Sequence, residues 1–334
     1  MYTYLHADWS DAEDVFGVAE TPEWVQNRWL DLGARVKNET YRIEHETFYA
    51  DGFPTVFVNM GPGSLAACIG GDFECARDTV WFDTNPIIKD FKNLPEIKLN
   101  TDSKMWKLCE DYTTKLGENS NGRYFTSMAD IGGSLDILAS LRGTNDLLYD
   151  LYDTPDEIKE LSGRVAEYWK AKHNHLYNIA QKYQKGMTSW MPVWCEGRYH
   201  PLQCDFGAMI SPDMFDEFAM PGIKEQTEFL DYSVFHLDGP NMIPHLDSLL
   251  SLPRLDAVQW SAGAGNPDEL DESYFDMYNK IQRAGKNVVL FAGTDVPRIE
   301  KILKAVNPNQ LYISAGGHDK HEVEAVVELA KKIV

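Results

Sequence analysis

The stretch from residue 233 to residue 316 decides the fold, because it repeats a short apolar run followed by a helical segment. The apolar runs are SVFHLDG (233–239), AVQWSA (257–262), NVVLFAG (287–293) and QLYISAG (310–316). Runs of this length, rich in β-branched and aromatic residues, are typical of parallel strands when patterned helical segments separate them. The alternation predicts an α/β protein.

The same alternation continues towards the amino terminus. Further strands are predicted in TSWMPVWC (188–195), RYFTSMAD (123–130), PTVFVNM (54–60) and, more weakly, TVWFD (79–83). The predicted strands number eight, and eight consecutive strand–helix units favour closure into a (β/α)8 TIM-type barrel. An open doubly wound sheet is the alternative. We expect residues 51–334 to form the barrel within a single domain and residues 1–50 to form an N-terminal helical extension.

Charge and composition exclude several classes of partner. The formal net charge is −21 and the pI is about 4.8, so the surface repels nucleic-acid phosphates and anionic lipid. The five cysteines contain no C-x-x-C pair, and the acidic opening MYTYLHADWSDAEDVFG lacks the basic start of a signal peptide. These features predict a cytoplasmic protein with reduced thiols, no nucleic-acid partner and no membrane span. The sequence leaves the oligomeric state open.

Candidate catalytic residues lie where the predicted strands end, because the chemistry of α/β barrels sits at the carboxyl ends of the strands. His236 and Asp238 are two apart on one strand and therefore share a face. An imidazole and a carboxylate on one face can bind a metal or act as an acid–base pair. The alternative is a buried hydrogen bond that only orders the following loop.

Other polar residues are predicted at the same end of the barrel. The loop after the 188–195 strand would supply donors, acceptors and a thiol, although a buried Cys is as often a small apolar residue as a ligand. An Asp at a strand end caps a helix more often than it catalyses, and a Trp usually packs. The further candidates are Glu196, Arg198, Tyr199, Cys204 and Asp205 in the loop, and Asp130, Gln259, Trp260 and Asp295 at other strand ends.

Several segments together resemble the uroporphyrinogen decarboxylase superfamily, which has a (β/α)8 barrel. The likeness runs over nearly the whole chain from about residue 54. The segments are GPGSLAACIGG (61–71), DTVWFD (78–83), DIGGSLDILASLRGTNDLLYDLYDTPDEIKEL (130–161), QCDFGAMISPDMFDEFAMPGIKEQ (203–226) and FHLDGPNMIPHLDSLLSLPRLDAVQW (235–260).

The resemblance implies one of two activities. One branch of the superfamily decarboxylates the acetate arms of a tetrapyrrole without a cofactor, and its Arg-rich N-terminal motif is reduced here to Arg42. The other branch moves methyl groups to or from a corrinoid carried by a partner protein, using zinc bound by a His-x-Cys pair and a later Cys. In this chain the pair reads His236-x-Asp238, and the later Cys position is Gly317.

We therefore interpret the chain as a methyltransferase that moves a methyl group between a small methylated substrate and a partner-bound corrinoid. The expected metal is a weakly bound divalent ion such as zinc, lost in purification, because oxygen ligands hold zinc less tightly than thiolates. The predicted metal ligands are His236, Asp238 and Cys204; the predicted catalytic residues are His236, Asp238, Glu196 and Asp205; and the predicted substrate-binding residues are Arg198, Tyr199, Gln259, Trp260, Asp130 and Asp295.

Two alternatives remain open at this point. The first is a cofactor-free decarboxylase or lyase of a small or tetrapyrrole acid, with Asp238 or Asp130 as the acid and Arg198 and Arg142 holding a carboxylate. The second is a catalytically inactive binding barrel, since the thiolate positions are changed.

Overall fold

The computed structural model of the chain describes residues 1–6 and 21–333. The strands are β1 (Tyr2–Leu5), β2 (Thr47–Ala50), β3 (Thr55–Phe57), β4 (Glu74–Cys75), β5 (Val80–Trp81), β6 (Phe125–Ser127), β7 (Tyr199–Leu202), β8 (Tyr232–Asp238), β9 (Ala257–Ser261), β10 (Asn287–Ala292) and β11 (Leu311–Gly317). The helices are α1 (Pro22–Leu30), α2 (Leu32–His45), α3 (Lys104–Ser120), α4 (Ser134–Arg142), α5 (Thr144–Asp153), α6 (Pro155–Ala180), α7 (Pro212–Met214), α8 (Met220–Phe229), α9 (Leu246–Leu250), α10 (Phe275–Arg283), α11 (Val296–Ala305) and α12 (Lys320–Ile333).

A mostly parallel seven-stranded sheet forms the centre of the fold. Its order is β2-β1-β11-β10-β9-β8-β7, and only the β1–β2 pair is antiparallel. The α/β prediction is confirmed, and the strands predicted between residues 233 and 316 all occur. β3 and β6 form a separate parallel pair. No strand pairing among residues 1–6 and 21–333 joins this pair to the larger sheet, so a closed barrel stays a prediction.

Helix α6 shows how the sequence covers this sheet and supports the site. Pro155 at the first helical position and Asp156 in the first turn favour its start. Its buried face includes Ile158, Leu161, Val165, Trp169 and Leu176, at the three- and four-residue spacing of one helix side. Burying each large apolar side chain contributes about 1.5–3 kcal/mol.

A charged residue, Lys172, interrupts this apolar face. Its Nζ is buried and donates a hydrogen bond to Ser64 Oγ at 2.7 Å, and Ser64 Oγ in turn donates to the backbone carbonyl of Asp130 at 2.5 Å. A buried ammonium is costly unless hydrogen bonds satisfy it. The chain of contacts ties α6 to the segment that carries Asp130.

The predicted strand at residues 188–195 is wrong. In this segment Met187 and Cys195 pair with each other in an isolated antiparallel bridge, and Ser189 Oγ accepts a hydrogen bond from the Met191 amide. Pro192 has no amide hydrogen to donate to a ladder. The strand next to β8 is instead β7, which begins four residues after the predicted strand ends.

Two further expectations are corrected by strand pairing. The weak strand at residues 79–83 shrinks to β5, which forms a small antiparallel pair with β4 outside the main sheet. The N-terminal segment is only partly the predicted helical extension: α1 and α2 are helices, but β1 pairs in parallel with β11 and β2 joins β1 at the sheet edge. The part of this prediction that falls on residues 7–20 lies outside the described residues. Among the described helices, none combines the length and apolarity needed to cross a membrane.

Candidate functional site

Three polar side chains converge at the carboxyl ends of β7 and β8. Asp205 begins the short 3-10 helix after β7, and His236 and Asp238 lie two residues apart on β8. One potential ligand atom from each residue lies within 4.8 Å of the others, and all three residues reach solvent at least in part. The structure therefore brings His236 and Asp238, which share a face of β8, close to Asp205. Together these residues are called the Asp–His–Asp cluster.

Gln259 on β9 orients the imidazole of the cluster. It lies opposite His236 in the strand register, and its Oε1 contacts His236 Nδ1. Gln259 Nε2 donates to the backbone carbonyl of Trp260, so the amide oxygen must face the imidazole and Nδ1 must carry the hydrogen. His236 Nε2 then keeps the free lone pair that a metal ion or proton needs. The ring of Trp190 packs edge-on against the imidazole with 5.1 Å between centroids.

This orientation gives a testable expectation for Gln259. The Gln259→Leu variant should bind a divalent metal about 10- to 100-fold more weakly, because the imidazole loses the acceptor that fixes its tautomer while every ligand remains. Calorimetric titration of chelator-dialysed protein with Co²⁺ would measure the change. Gln259→Glu, which keeps an acceptor at this position, should retain most of the affinity. Equal metal affinities for Gln259→Leu and the wild type would show that Gln259 does not orient the imidazole for metal binding.

Two buried carboxyl groups stand behind the cluster. Asp130 follows β6, and its Oδ1 accepts a hydrogen bond from the Gly63 amide at 3.3 Å. Burial, reinforced by the charge of Asp205, raises the pKa of Asp130 to about 6, although the Gly63 amide and the charge of His236 oppose the change. The interactions with Asp205 and His236 place Asp130 close to the Asp–His–Asp cluster.

The second buried carboxyl group, Asp136, was missed by the sequence analysis. It lies in the first turn of α4, where its Oδ1 accepts a hydrogen bond from the Phe206 amide at 2.8 Å. Its Oδ2 is buried and has no hydrogen-bond partner among the described residues. Burial, reinforced by the charge of Asp205, raises the pKa of Asp136 to about 7. A carboxyl group in this position can hold and release a proton near neutral pH.

A cleft of about 250 Å³ opens beside the cluster, and we call it the acidic cleft. Asp205 belongs both to its wall and to the Asp–His–Asp cluster. In the described part of the chain, no Lys, Arg or His lines it. The side chains that give it its chemical character are Asp83, Asp136 and Asp205, the aromatic residues Trp81, Phe82 and Phe206, and Met209.

Glu196, Arg198 and Tyr199 lie at the opposite end of the strands. β7 pairs with β8 from Tyr199, and Arg198 forms an ion pair with Asp231, the residue before β8. Asp238 is seven residues beyond Asp231, roughly 20 Å further along an extended strand at about 3.3 Å per residue. The predicted placement of these residues beside His236 is wrong, because the strand begins later than its apolar pattern indicated. Tyr199 is fully buried in the core.

This correction predicts that Glu196 is dispensable. Glu196→Ala should leave turnover within about twofold of wild type, since exposed substitutions away from a site change little. Asp205→Ala, at the other end of the same strand, is the matched comparison and should lose turnover. A large loss of turnover in Glu196→Ala, in protein whose thermal melt shows intact folding, would contradict the placement of Glu196 away from the Asp–His–Asp cluster.

Cys204 does not join the Asp–His–Asp cluster. Its neighbours Gln203 and Asp205 line the acidic cleft, whereas the Cys204 side chain is buried. Burial raises the pKa of the Cys204 thiol well above its usual range, which disfavours the thiolate that a metal requires. The prediction of Cys204 as a ligand is therefore not supported, and the buried apolar alternative describes its surroundings.

Three other candidates have structural partners. Trp260 is fully buried and its ring packs on Tyr274, with 5.0 Å between centroids. Asp295 caps α11 by accepting a hydrogen bond from the Arg298 amide at 3.2 Å. Arg142 forms ion pairs with Asp146 and Asp150 on α5. The contacts of Trp260 and Asp295 match the packing and capping alternatives, and none of these three residues lines the acidic cleft.

Comparison with known proteins gives a likeness of fold. No family model matches the chain, and no curated protein matches its sequence significantly. A solved structure of a methyltransferase from Methanosarcina mazei is similar, with a TM-score of 0.56 and 12% sequence identity, over 98% of this chain and 88% of that chain. At this identity the likeness concerns the fold and not the activity. The chain is thus similar in architecture to a methyltransferase.

Proposed function

We propose that this chain is a methyltransferase that transfers a methyl group between a small methylated substrate and a corrinoid carried by a partner protein. The observation that carries the proposal is the convergence of Asp205, His236 and Asp238 beside a small cleft. The methyltransferase with a similar fold and the superfamily resemblance of the sequence both support it. We also propose that the strands close into a single (β/α)8 barrel, which would present this cleft at the carboxyl ends of the strands.

The ligand set suits a divalent metal held by oxygen and nitrogen. Two carboxylates and one imidazole converge, and no thiolate accompanies them among the described residues. This set does not fit the His-x-Cys and later Cys that the resemblance implies, and it suits a harder or more loosely held ion. When bound, such a metal would supply a positive charge and a Lewis acid at this site.

The remaining residues would prepare the site. Gln259 holds the His236 imidazole in the tautomer that leaves Nε2 free. Asp136 lines the acidic cleft and its pKa is raised to about 7, so it can deliver a proton to a departing oxygen or nitrogen. Asp130 is held by the Gly63 amide and adds negative charge behind the metal ligands.

The decarboxylase alternative finds less support in this geometry. A substrate carboxylate needs a cationic partner, and no Lys, Arg or His among the described residues lines the acidic cleft. The two arginines considered for that role, Arg142 and Arg198, are paired with Asp150 and Asp231.

The proposal is tested by methyl transfer to free cob(I)alamin. Chelator-dialysed protein reloaded with Zn²⁺, Co²⁺ or Mn²⁺ is mixed with candidate methyl ethers and methylated amines, and methylcobalamin is followed by its visible absorption. We expect metal-dependent formation that is lost in Asp205→Ala and retained in Glu196→Ala. Carbon dioxide release from carboxylic acids without methylcobalamin formation would indicate a lyase. Absence of both reactions in protein that binds metal would indicate a binding barrel.

A further inference from the structure

The acidic cleft has an excess of negative charge that a metal does not remove. Asp83, Asp136 and Asp205 line it, and Asp130 and Asp238 lie beside His236 or Asp205. A divalent ion at the Asp–His–Asp cluster offsets two charges of this group. The buried cation of this region, Lys172, is bonded to Ser64 and does not line the cleft. An anionic ligand would therefore be repelled and a cationic one attracted.

Part of the lining of the acidic cleft is aromatic. Trp81, Phe82 and Phe206 line it, and Trp81 is 51% exposed in the free protein. Met209 at the same rim is 48% exposed. Exposed large apolar side chains around a concave site are commonly covered by a ligand. Aromatic faces beside carboxylates are the surroundings in which proteins recognise methylated ammonium groups, whose charge is spread over apolar methyls.

Asp136, which lines the same cleft, also has a carboxyl oxygen without a hydrogen-bond partner among the described residues. Asp136 Oδ2 accepts no hydrogen bond from the described residues, although Oδ1 of the same carboxyl group is held by the Phe206 amide. A buried carboxylate oxygen left in this state costs free energy. A cation in the cleft would relieve the cost.

We propose that the acidic cleft binds a small methylated ammonium group, and that the methyl donor is consequently a quaternary or tertiary amine. The identity of the methyl donor rests on the proposed function, whereas the binding of an ammonium group does not. In the transfer from a quaternary amine, the C–N bond breaks with its electron pair remaining on nitrogen, and the methyl group passes to the cobalt(I) of the corrinoid. The product is a neutral tertiary amine, which takes up a proton from solvent when it leaves the acidic cleft.

Binding is tested with a charged ligand and its neutral isostere. Choline and 3,3-dimethyl-1-butanol have the same shape, but only choline carries a positive charge. Isothermal titration of the full chain in amine-free buffer of low ionic strength should show choline binding at least about tenfold more tightly than the alcohol. Added NaCl should weaken choline binding and leave the alcohol unaffected.

Two variants locate the site. Trp81→Leu keeps an apolar side chain but removes the aromatic face, and it should weaken choline binding about fivefold or more. Trp194→Leu is the matched control, because Trp194 is also exposed, at 41%, and lies outside the acidic cleft. Asp83→Asn should weaken choline binding and flatten its salt dependence. Circular dichroism melts of each variant separate loss of binding from loss of folding.

The outcomes distinguish this inference from the proposed function. Equal binding of choline and its isostere, or unchanged choline binding in Trp81→Leu, would overturn the ammonium site. Metal-dependent methylcobalamin formation from a neutral ether, with no choline binding, would overturn it while leaving the methyltransferase proposal intact. Charge-selective choline binding that Trp81→Leu weakens would support the site even if no methyl transfer to cobalamin were found.

Discussion

The His236→Ala variant is expected to bind divalent metal at least about 100-fold more weakly than the wild type and to lose methyl transfer. His236 supplies the single nitrogen ligand of the Asp–His–Asp cluster, and its free Nε2 is set by the contact with Gln259. Removing a ligand should cost at least as much as removing the residue that orients it, for which losses of about 10- to 100-fold are typical. Metal titration and cob(I)alamin methylation measure the two effects.

The control for this variant is Cys204→Ser. Cys204 was a predicted ligand, but its thiol is buried and does not belong to the cluster. The serine variant should therefore keep metal affinity within a few-fold, with any loss appearing in thermal stability. Strong metal binding by His236→Ala, together with loss of binding in Cys204→Ser, would show that the ligand set is different.

The Asp136→Asn variant is expected to be more stable than the wild type at alkaline pH, by about 4 kcal/mol at pH 8 in metal-free protein. Burial raises the pKa of Asp136 to about 7 in the folded protein, whereas an Asp in an unfolded chain titrates near 3.9. The folded state thus binds more protons between these values, and the free energy of unfolding falls as pH rises through this window. The asparagine side chain stays neutral at every pH, so the free energy of unfolding of the variant does not fall for this reason.

Urea unfolding at pH 3.5 and pH 8 in the presence of chelator measures this difference. Below the unfolded pKa both proteins are neutral at this position, so the two should have nearly equal free energies of unfolding at pH 3.5. Asp111→Asn, at an exposed position of α3, is the control and should show little change at either pH. A destabilisation of Asp136→Asn at pH 8 would mean that the carboxylate is satisfied in the folded protein.

Local pattern was sufficient to predict the core of the site. His236 and Asp238 follow from the two-residue period of the strand that precedes Gly239, and such a pair must share a face whatever the surrounding topology. The strands of residues 233–316 were also predicted, because each is apolar and is followed by a segment with a helical pattern. In these segments local propensity and tertiary packing agree.

Pattern failed where long-range pairing decides the structure. The run TSWMPVWC is apolar enough for a strand, but its ends pair with each other, and that error moved Glu196 and Arg198 to the wrong end of β7. The apolar pattern of a segment does not show at which residue its hydrogen bonding to a neighbouring strand begins. The prolines at 192 and 201 were the available signals, and neither could fix the register.

Asp136 was missed for a related reason. An acidic residue in the first turn of a helix ordinarily serves the helix dipole, and the sequence SLDILASLR gives no other indication. Its role depends on the Phe206 amide, 70 residues away, and on the charge of Asp205. Its position after Gly132 and Gly133, at the turn that leads from β6 into α4, was the one local hint that the residue lies at a strand exit.

X-ray absorption at the zinc edge of zinc-reloaded protein tests the central claim most directly, because it counts the atoms bound to the metal. The carboxylate–imidazole set of Asp205, His236 and Asp238 predicts only oxygen and nitrogen neighbours, at about 2.0–2.2 Å, and a metal that dialysis against chelator removes. A sulfur neighbour at about 2.3 Å, or stoichiometric zinc that survives the chelator, would contradict the proposed site.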